Sequence, residues 1–157
     1  MTQSTMHQPK ELQLLKQLVG EWAVGIAMKL PNDKVVSGCG TITAKEVDSG
    51  LAISSEANMH IEGYDDYLEH DLWSFDRGTG KIHLFSVTSS GDAHDHVGSW
   101  KNDKTLELKW NGKYEGKDTA EDISLTCLTE DEIRVHEVDS SEGKISVTTD
   151  YVLKRKT

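Results

Sequence analysis

The stretch Val19-Gly20-Glu21-Trp22-Ala23-Val24-Gly25-Ile26-Ala27-Met28 decides how the rest of the chain is read. Ahead of it, Leu12, Leu15, Leu18 and Val19 recur at helical spacing behind Pro9, and Leu14 widens the apolar stripe. From Trp22 the period becomes two. Trp22, Val24, Ile26 and Met28 share one face of a strand, and Ala23, Gly25 and Ala27 share the other. A helix of about three turns does not hold alone in water, so it must pack on the sheet that Trp22 opens.

Downstream, apolar alternation recurs between turns. Pro31-Asn32-Asp33 turns the chain into a strand from Lys34 to Val47, where Gly38 and Gly40 suit a bend or bulge. Asp48-Ser49-Gly50 precedes the alternating run Leu51 to Ile61, and Gly63 to Asp66 the run that ends near Phe75. Asp76 to Gly80 and Ser89 to Asp92 read as hairpin turns. Leu106, Leu108 and Trp110 alternate next, then a glycine-bounded loop, then Ile123, Leu125 and Cys127. Ile133 and Val135 follow, Asp139 to Gly143 reads as the last turn, and Ile145, Val147, Thr149, Tyr151, Leu153 and Arg155 share a face. The count is about ten strands with no helix long enough for a parallel crossover. Closing such a meander into a barrel removes its two edges. The expectation is one all-β domain over residues 9–157, a single antiparallel up-and-down barrel whose short N-terminal helix caps one end, behind a disordered Met1 to Gln8.

Composition narrows the partners. A formal net charge of −10 argues against a nucleic-acid backbone or an anionic membrane surface, and it does not by itself indicate a cationic ligand. No apolar run approaches membrane-spanning length, and the polar N-terminus lacks the apolar core of a signal peptide. Cys39 and Cys127 lack paired spacing and read as reduced thiols of a cytoplasmic protein.

Gly20-Glu21-Trp22 opening the first strand behind a short helix resembles the Gly-x-Trp motif of the calycin superfamily, which includes lipocalins and fatty-acid-binding proteins. The segment Gly98-Ser99-Trp100-Lys101-Asn102-Asp103-Lys104-Thr105-Leu106 looks like a bacterial, uncharacterised lipocalin-like family. About ten strands suit fatty-acid-binding proteins and the haem-binding nitrobindins better than secreted lipocalins. The resemblance implies that Trp22 closes one end of the barrel beneath a basic side chain of the last strand. Arg155 has the right phase, and a cation over an indole contributes roughly 0.5–2 kcal/mol. The last strand lacks the Arg-x-Tyr pair of fatty-acid carriers, and no local match assigns a nitrobindin proximal histidine.

A barrel this wide is not filled by its own side chains, so the expected function is binding of a small, largely apolar molecule in the interior. Trp22, Val24, Ile26, Met28, Ile53, Met59, Phe85, His94, His96 and Tyr151 are the inward candidates. A different class of reading centres on His83, His94 and His96 as ligands to a divalent metal or a haem, with Glu69 or Asp71 adding a carboxylate. It depends on the hairpin register. A two-residue loop at Ser90-Gly91 sets His96 opposite Phe85 and His94 opposite Val87, with His83 beside them. A three-residue loop sets the pair beside Ser86 and Thr88 and leaves His83 on the other face. Tyr67, Glu69, Asp71, Trp73 and Phe75 share a face that points either way; inward, it carries two carboxylates suited to acid–base work. Tyr64, Asp65, Trp110 and Tyr114 are candidates for the barrel mouth. The third reading is a barrel with no ligand that binds another protein, and edge-strand pairing would allow a homodimer.

Overall fold

The structure, a computed structural model, describes residues 7–157. The expected disorder of Met1 to Gln8 therefore lies outside the described residues except at His7 and Gln8, where the Gln8 amide donates to the Ser49 and Gly50 carbonyls. A short helix, α1 (Lys10–Leu15), runs on through a 3₁₀ turn at Lys16–Leu18. Ten strands follow: β1 (Gly20–Lys29), β2 (Val35–Val47), β3 (Ala52–Ile61), β4 (Tyr67–Asp76), β5 (Lys81–Thr88), β6 (Ala93–Trp100), β7 (Thr105–Tyr114), β8 (Lys117–Thr129), β9 (Glu132–Ser141) and β10 (Lys144–Arg155). Each pairs antiparallel with its chain neighbours, and β1 pairs with β10 to close the barrel. Closure gives every strand two neighbours, although β6 and β7 pair only between Val97–Trp100 and Leu106–Lys109. No helix among the described residues is long and apolar enough to cross a membrane.

Leu12, Leu15 and Leu18 are buried in the same cluster as Trp22, Ile53, Ile82, Leu106 and Ile133, so α1 covers one end of the barrel. Trp22 is 1% exposed and stands opposite Arg155, whose Cζ lies 4.2 Å from the indole ring centroid. The Arg155 guanidinium also donates to the Val19 carbonyl at 2.7 Å and to the Glu130 carbonyl at 2.9 Å. Gly20 makes room for it: φ there is +140°, and any Cβ would run into the guanidinium. The glycine and the tryptophan of the motif thus serve one contact.

Three local expectations change. Gly38 and Gly40 form no bulge, because β2 runs in unbroken register with β1 and β3. The bulges fall at Ser146 in β10 and Leu128 in β8. The first turns Ile145 outward, 66% exposed, away from the face of Tyr151 and Leu153, since one extra residue reverses every side chain beyond it. Strands β7, β8 and β9 extend further than their apolar alternation, with two-residue turns at Glu115–Gly116 and Glu142–Gly143. Asp139 is therefore a strand residue, and its polarity, fit for a turn, instead serves the barrel interior.

Gly98 lets β6 approach β7, since a Cβ there would meet the Glu107 carbonyl oxygen and the Leu108 Cα. Gly98→Ala is expected to cost roughly 1–3 kcal/mol through overpacking. Gly25→Ala, with nothing within 4 Å of its added Cβ, should stay within about 0.5 kcal/mol of the parent. Urea-denaturation midpoints of the two variants check the contrast.

Candidate functional site

The barrel encloses a cavity of about 190 Å³ whose lining changes character along its length. Trp22, Trp73, Leu125, Ile133 and Leu153 supply an apolar floor towards the helix-capped end. Towards the β5–β6 hairpin the lining becomes Tyr67, Glu69, Asp71, His94, His96, Glu121, Glu137 and Tyr151. The pleat explains the change: two-residue periodicity keeps one face inward along a whole strand, so Glu69 and Asp71 follow Trp73 inward, and Glu121 follows Ile123 and Leu125.

Strand β4 is thus settled with its aromatic, acidic face inside and Leu68 and Leu72 outside. Burial pushes the Glu69 carboxyl up to about 8, with the neighbouring Asp71 charge adding to the rise. Its Oε2 accepts from the Tyr67 hydroxyl at 2.6 Å. Burial also raises Asp71, against the hydroxyl bonds it accepts from Ser86 at 2.6 Å and Ser55 at 3.0 Å. Trp73 Nε1 donates to Ser55 Oγ at 2.9 Å, which anchors this network to the apolar floor. Across the cavity, burial and then the Asp139 charge hold Glu137 well above the usual carboxylate range, and burial lifts Asp139 to about 6. Tyr151 is likewise held up by burial and by the nearby acids. Of these acids Glu69, lifted to about 8, is largely uncharged at neutral pH and able to donate as well as accept.

The hairpin register is neither of the two expected ones, though its three-residue loop leaves His83 on the other face, as expected of such a loop. Ser89 to Gly91 form a three-residue turn, closed by the Thr88 N–H donating to the Asp92 carbonyl at 3.0 Å. His94 lies opposite Ser86, and His96 lies opposite Leu84 rather than beside Thr88. Both face inward. His96 is 3% exposed and its Nε2 meets Glu121 Oε2 at 2.5 Å; His94 Nδ1 meets Glu121 Oε1 at 3.0 Å. His83 points out of the barrel onto Asp95 at 3.0 Å, because strand parity places it opposite Val97 on the other face. It cannot join a site with His94 and His96.

Of the inward candidates, Trp22, Met59, His94, His96 and Tyr151 line the cavity. Val24, Ile26, Met28 and Ile53 are buried in the packing around it and do not reach its surface. Phe85 is on the outside, 47% exposed, opposite Leu72 and Asp95, since it shares parity with His83. Tyr64 and Tyr114 are solvent-exposed, whereas Trp110 turns inward and stacks on His94, ring centroids 3.6 Å apart. Glu121, Glu137 and Asp139 were missed. Their phase was readable, Glu121 two residues before Ile123 and Glu137 two after Val135, but a carboxylate in an apolar row reads as a strand end. A haem does not suit the pocket as it stands: the space is below the roughly 300–1,000 Å³ of drug-sized sites, and the nitrogens of His94 and His96 described above already face Glu121.

No protein-family model matches the chain, and no curated protein matches it in sequence. Solved structures do match in fold. Rv2717c from M. tuberculosis is 20% identical, covering 96% of this chain and 99% of that one, with a TM-score of 0.74. The S-type phycobiliprotein lyase CPES from Guillardia theta is 12% identical over 92% of each chain, with a TM-score of 0.65. The redesigned β-barrel mFAP0, solved bound to DFHBI, is 11% identical, covering 88% of this chain and 99% of that one, with a TM-score of 0.51. The likeness is one of architecture: a closed, antiparallel β-barrel.

Proposed function

We propose that this chain is a lipocalin-like binding protein of the bacterial cytoplasm. Its interior takes a small molecule with a largely apolar body and a cationic or hydrogen-bond-donating end. The observation that carries the reading is the division of the cavity lining, an indole-rich apolar floor under a ring of five carboxyls, Glu69, Asp71, Glu121, Glu137 and, behind them, Asp139. Apolar contact supplies affinity and the polar ring fixes orientation. A cation entering the ring would draw the raised carboxyls into their charged form, so its affinity rises with pH between about 6 and 8, the values to which Asp139 and Glu69 are lifted. The mFAP0 structure gives a precedent for a small molecule held in a barrel of this fold. The exposed free thiol of Cys39 suits a reducing compartment.

Calorimetric titration of chelator-treated protein with 4-phenylbutylamine and with its carboxylate counterpart, 4-phenylbutyrate, tests the reading. The amine should bind at least about tenfold more tightly, a difference of about 1.4 kcal/mol, and Glu137→Gln should reduce that preference. Binding of neither compound, or preference for the carboxylate, would sink it. It would also favour the protein-interaction reading, for which the outer apolar patch of Leu68, Leu72, Phe85 and Val87 is the supporting observation.

A further inference from the structure

The geometry points to a divalent transition-metal site formed by His94, His96 and Glu121, of the zinc class, with its remaining coordination position open to the cavity. The site sits where the barrel wall changes. Strands β6 and β7 pair only from Val97 to Trp100 against Leu106 to Lys109. Beyond Val97 the two strands share no ladder, and side chains bridge the wall instead. His94 and His96 come from β6, and Glu121 reaches them from β8, where it stands opposite Trp110 of β7.

The donor atoms are gathered: one nitrogen from each imidazole and a Glu121 oxygen all lie within 4.8 Å of one another. Both rings are oriented by their surroundings. His96 Nδ1 donates to the Leu84 carbonyl at 3.4 Å, which turns Nε2 towards Glu121. His94 is clamped against Trp110, with 12° between the ring planes. A backbone carbonyl behind a ligating imidazole is the usual outer support of a metal site. Two imidazoles and a carboxylate form a donor set that zinc accepts when a fourth position is left for water or a ligand. With no thiolate present, the set favours zinc, cobalt or nickel over a soft cation such as copper(I). All three residues line the cavity, so a bound ion would stand at its polar end. The site does not depend on the ligand reading above.

The test uses the full chain, stripped with chelator and titrated at pH 7.5 with zinc chloride by calorimetry and with cobalt chloride by visible absorption. One ion per chain is expected, with the intense d–d bands of four-coordinate cobalt. His94→Ala and Glu121→Gln should each weaken binding about 100-fold or more, beyond the roughly 10–100-fold typical of an outer-support residue. Trp110→Leu should weaken it within that range, and His83→Ala should change nothing. Circular dichroism of each metal-free variant verifies folding. Should a variant not fold, zinc must still raise the melting temperature of the parent chain, and the cobalt bands must still appear. Absence of stoichiometric binding by the parent, or unchanged binding in folded His94→Ala or Glu121→Gln, overturns the assignment. The amine titration is run in chelator, so the two ideas fail separately.

Discussion

Trp22→Ala is expected to destabilise the barrel by about 3–5 kcal/mol, the range for removing a large buried aromatic side chain. The indole is 1% exposed at the cavity floor, and its N–H donates to the Leu18 carbonyl at 2.9 Å. It therefore ties the helix to the first strand while Arg155 covers its face. Truncation opens a void, leaves the Leu18 carbonyl without its donor, and strips the guanidinium of its aromatic partner. Trp22→Phe keeps most of the apolar volume and loses the N–H, so it should cost less, about 1–3 kcal/mol, near the penalty for one unsatisfied buried group. Urea denaturation followed by circular dichroism ranks the two variants. A Trp22→Ala midpoint equal to that of the parent would remove the tryptophan from any account of closure.

Stability should fall as pH rises, over a window set by the interior acids. Glu69 titrates near 8 in the fold against about 4.5 in an open chain, and Asp139 near 6 against 3.8. Between each pair of values the unfolded chain holds fewer protons than the native one. Linkage then makes the stability decline with pH: the contribution is fully present below about 4.5 and lost as pH passes 8. Asp71 and Glu137 are shifted in the same direction, so they add to the decline. At about 1.4 kcal/mol per pH unit, the Glu69 share is a few kcal/mol across the window. Glu69→Gln keeps an acceptor for the Tyr67 hydroxyl and cannot ionise. It should raise the melting temperature at pH 8, change it little at pH 5, and flatten the profile between. Thermal melts of both proteins at the two pH values decide the matter; a parent chain more stable at pH 8 than at pH 5 counts against a buried acid ring. A cation bound among the carboxyls would oppose the decline, which ties this measurement to the proposed ligand.

The barrel was legible because its information is local. The change from helical to two-residue period at Trp22, the turns between alternating runs and the phase of Arg155 each concern residues close in sequence, and closure follows from the need to remove two edges. Where local pattern failed, the cause was an insertion or a polar residue in an apolar row. Ser146 adds one residue to β10 and turns Ile145 out, a shift that alternation alone does not announce. Asp139 reads as a turn but completes a strand, because the sheet on either side supplies its backbone partners.

What the sequence determined by itself is the frame: the strand count, the capping helix, and the first-to-last-strand contact in which Gly20 leaves the room and Trp22 the surface for Arg155. What only the tertiary structure decided is the chemistry inside. The side to which β4 points, the three-residue turn that separates His83 from His94 and His96, and the meeting of those two with Glu121 all depend on register and on strands 25 to 27 residues apart. Nothing local encodes that choice. It is made by the barrel as a whole, which buries the apolar ends of its strands at the helix-capped end and so carries the acids on the same faces into the interior with them.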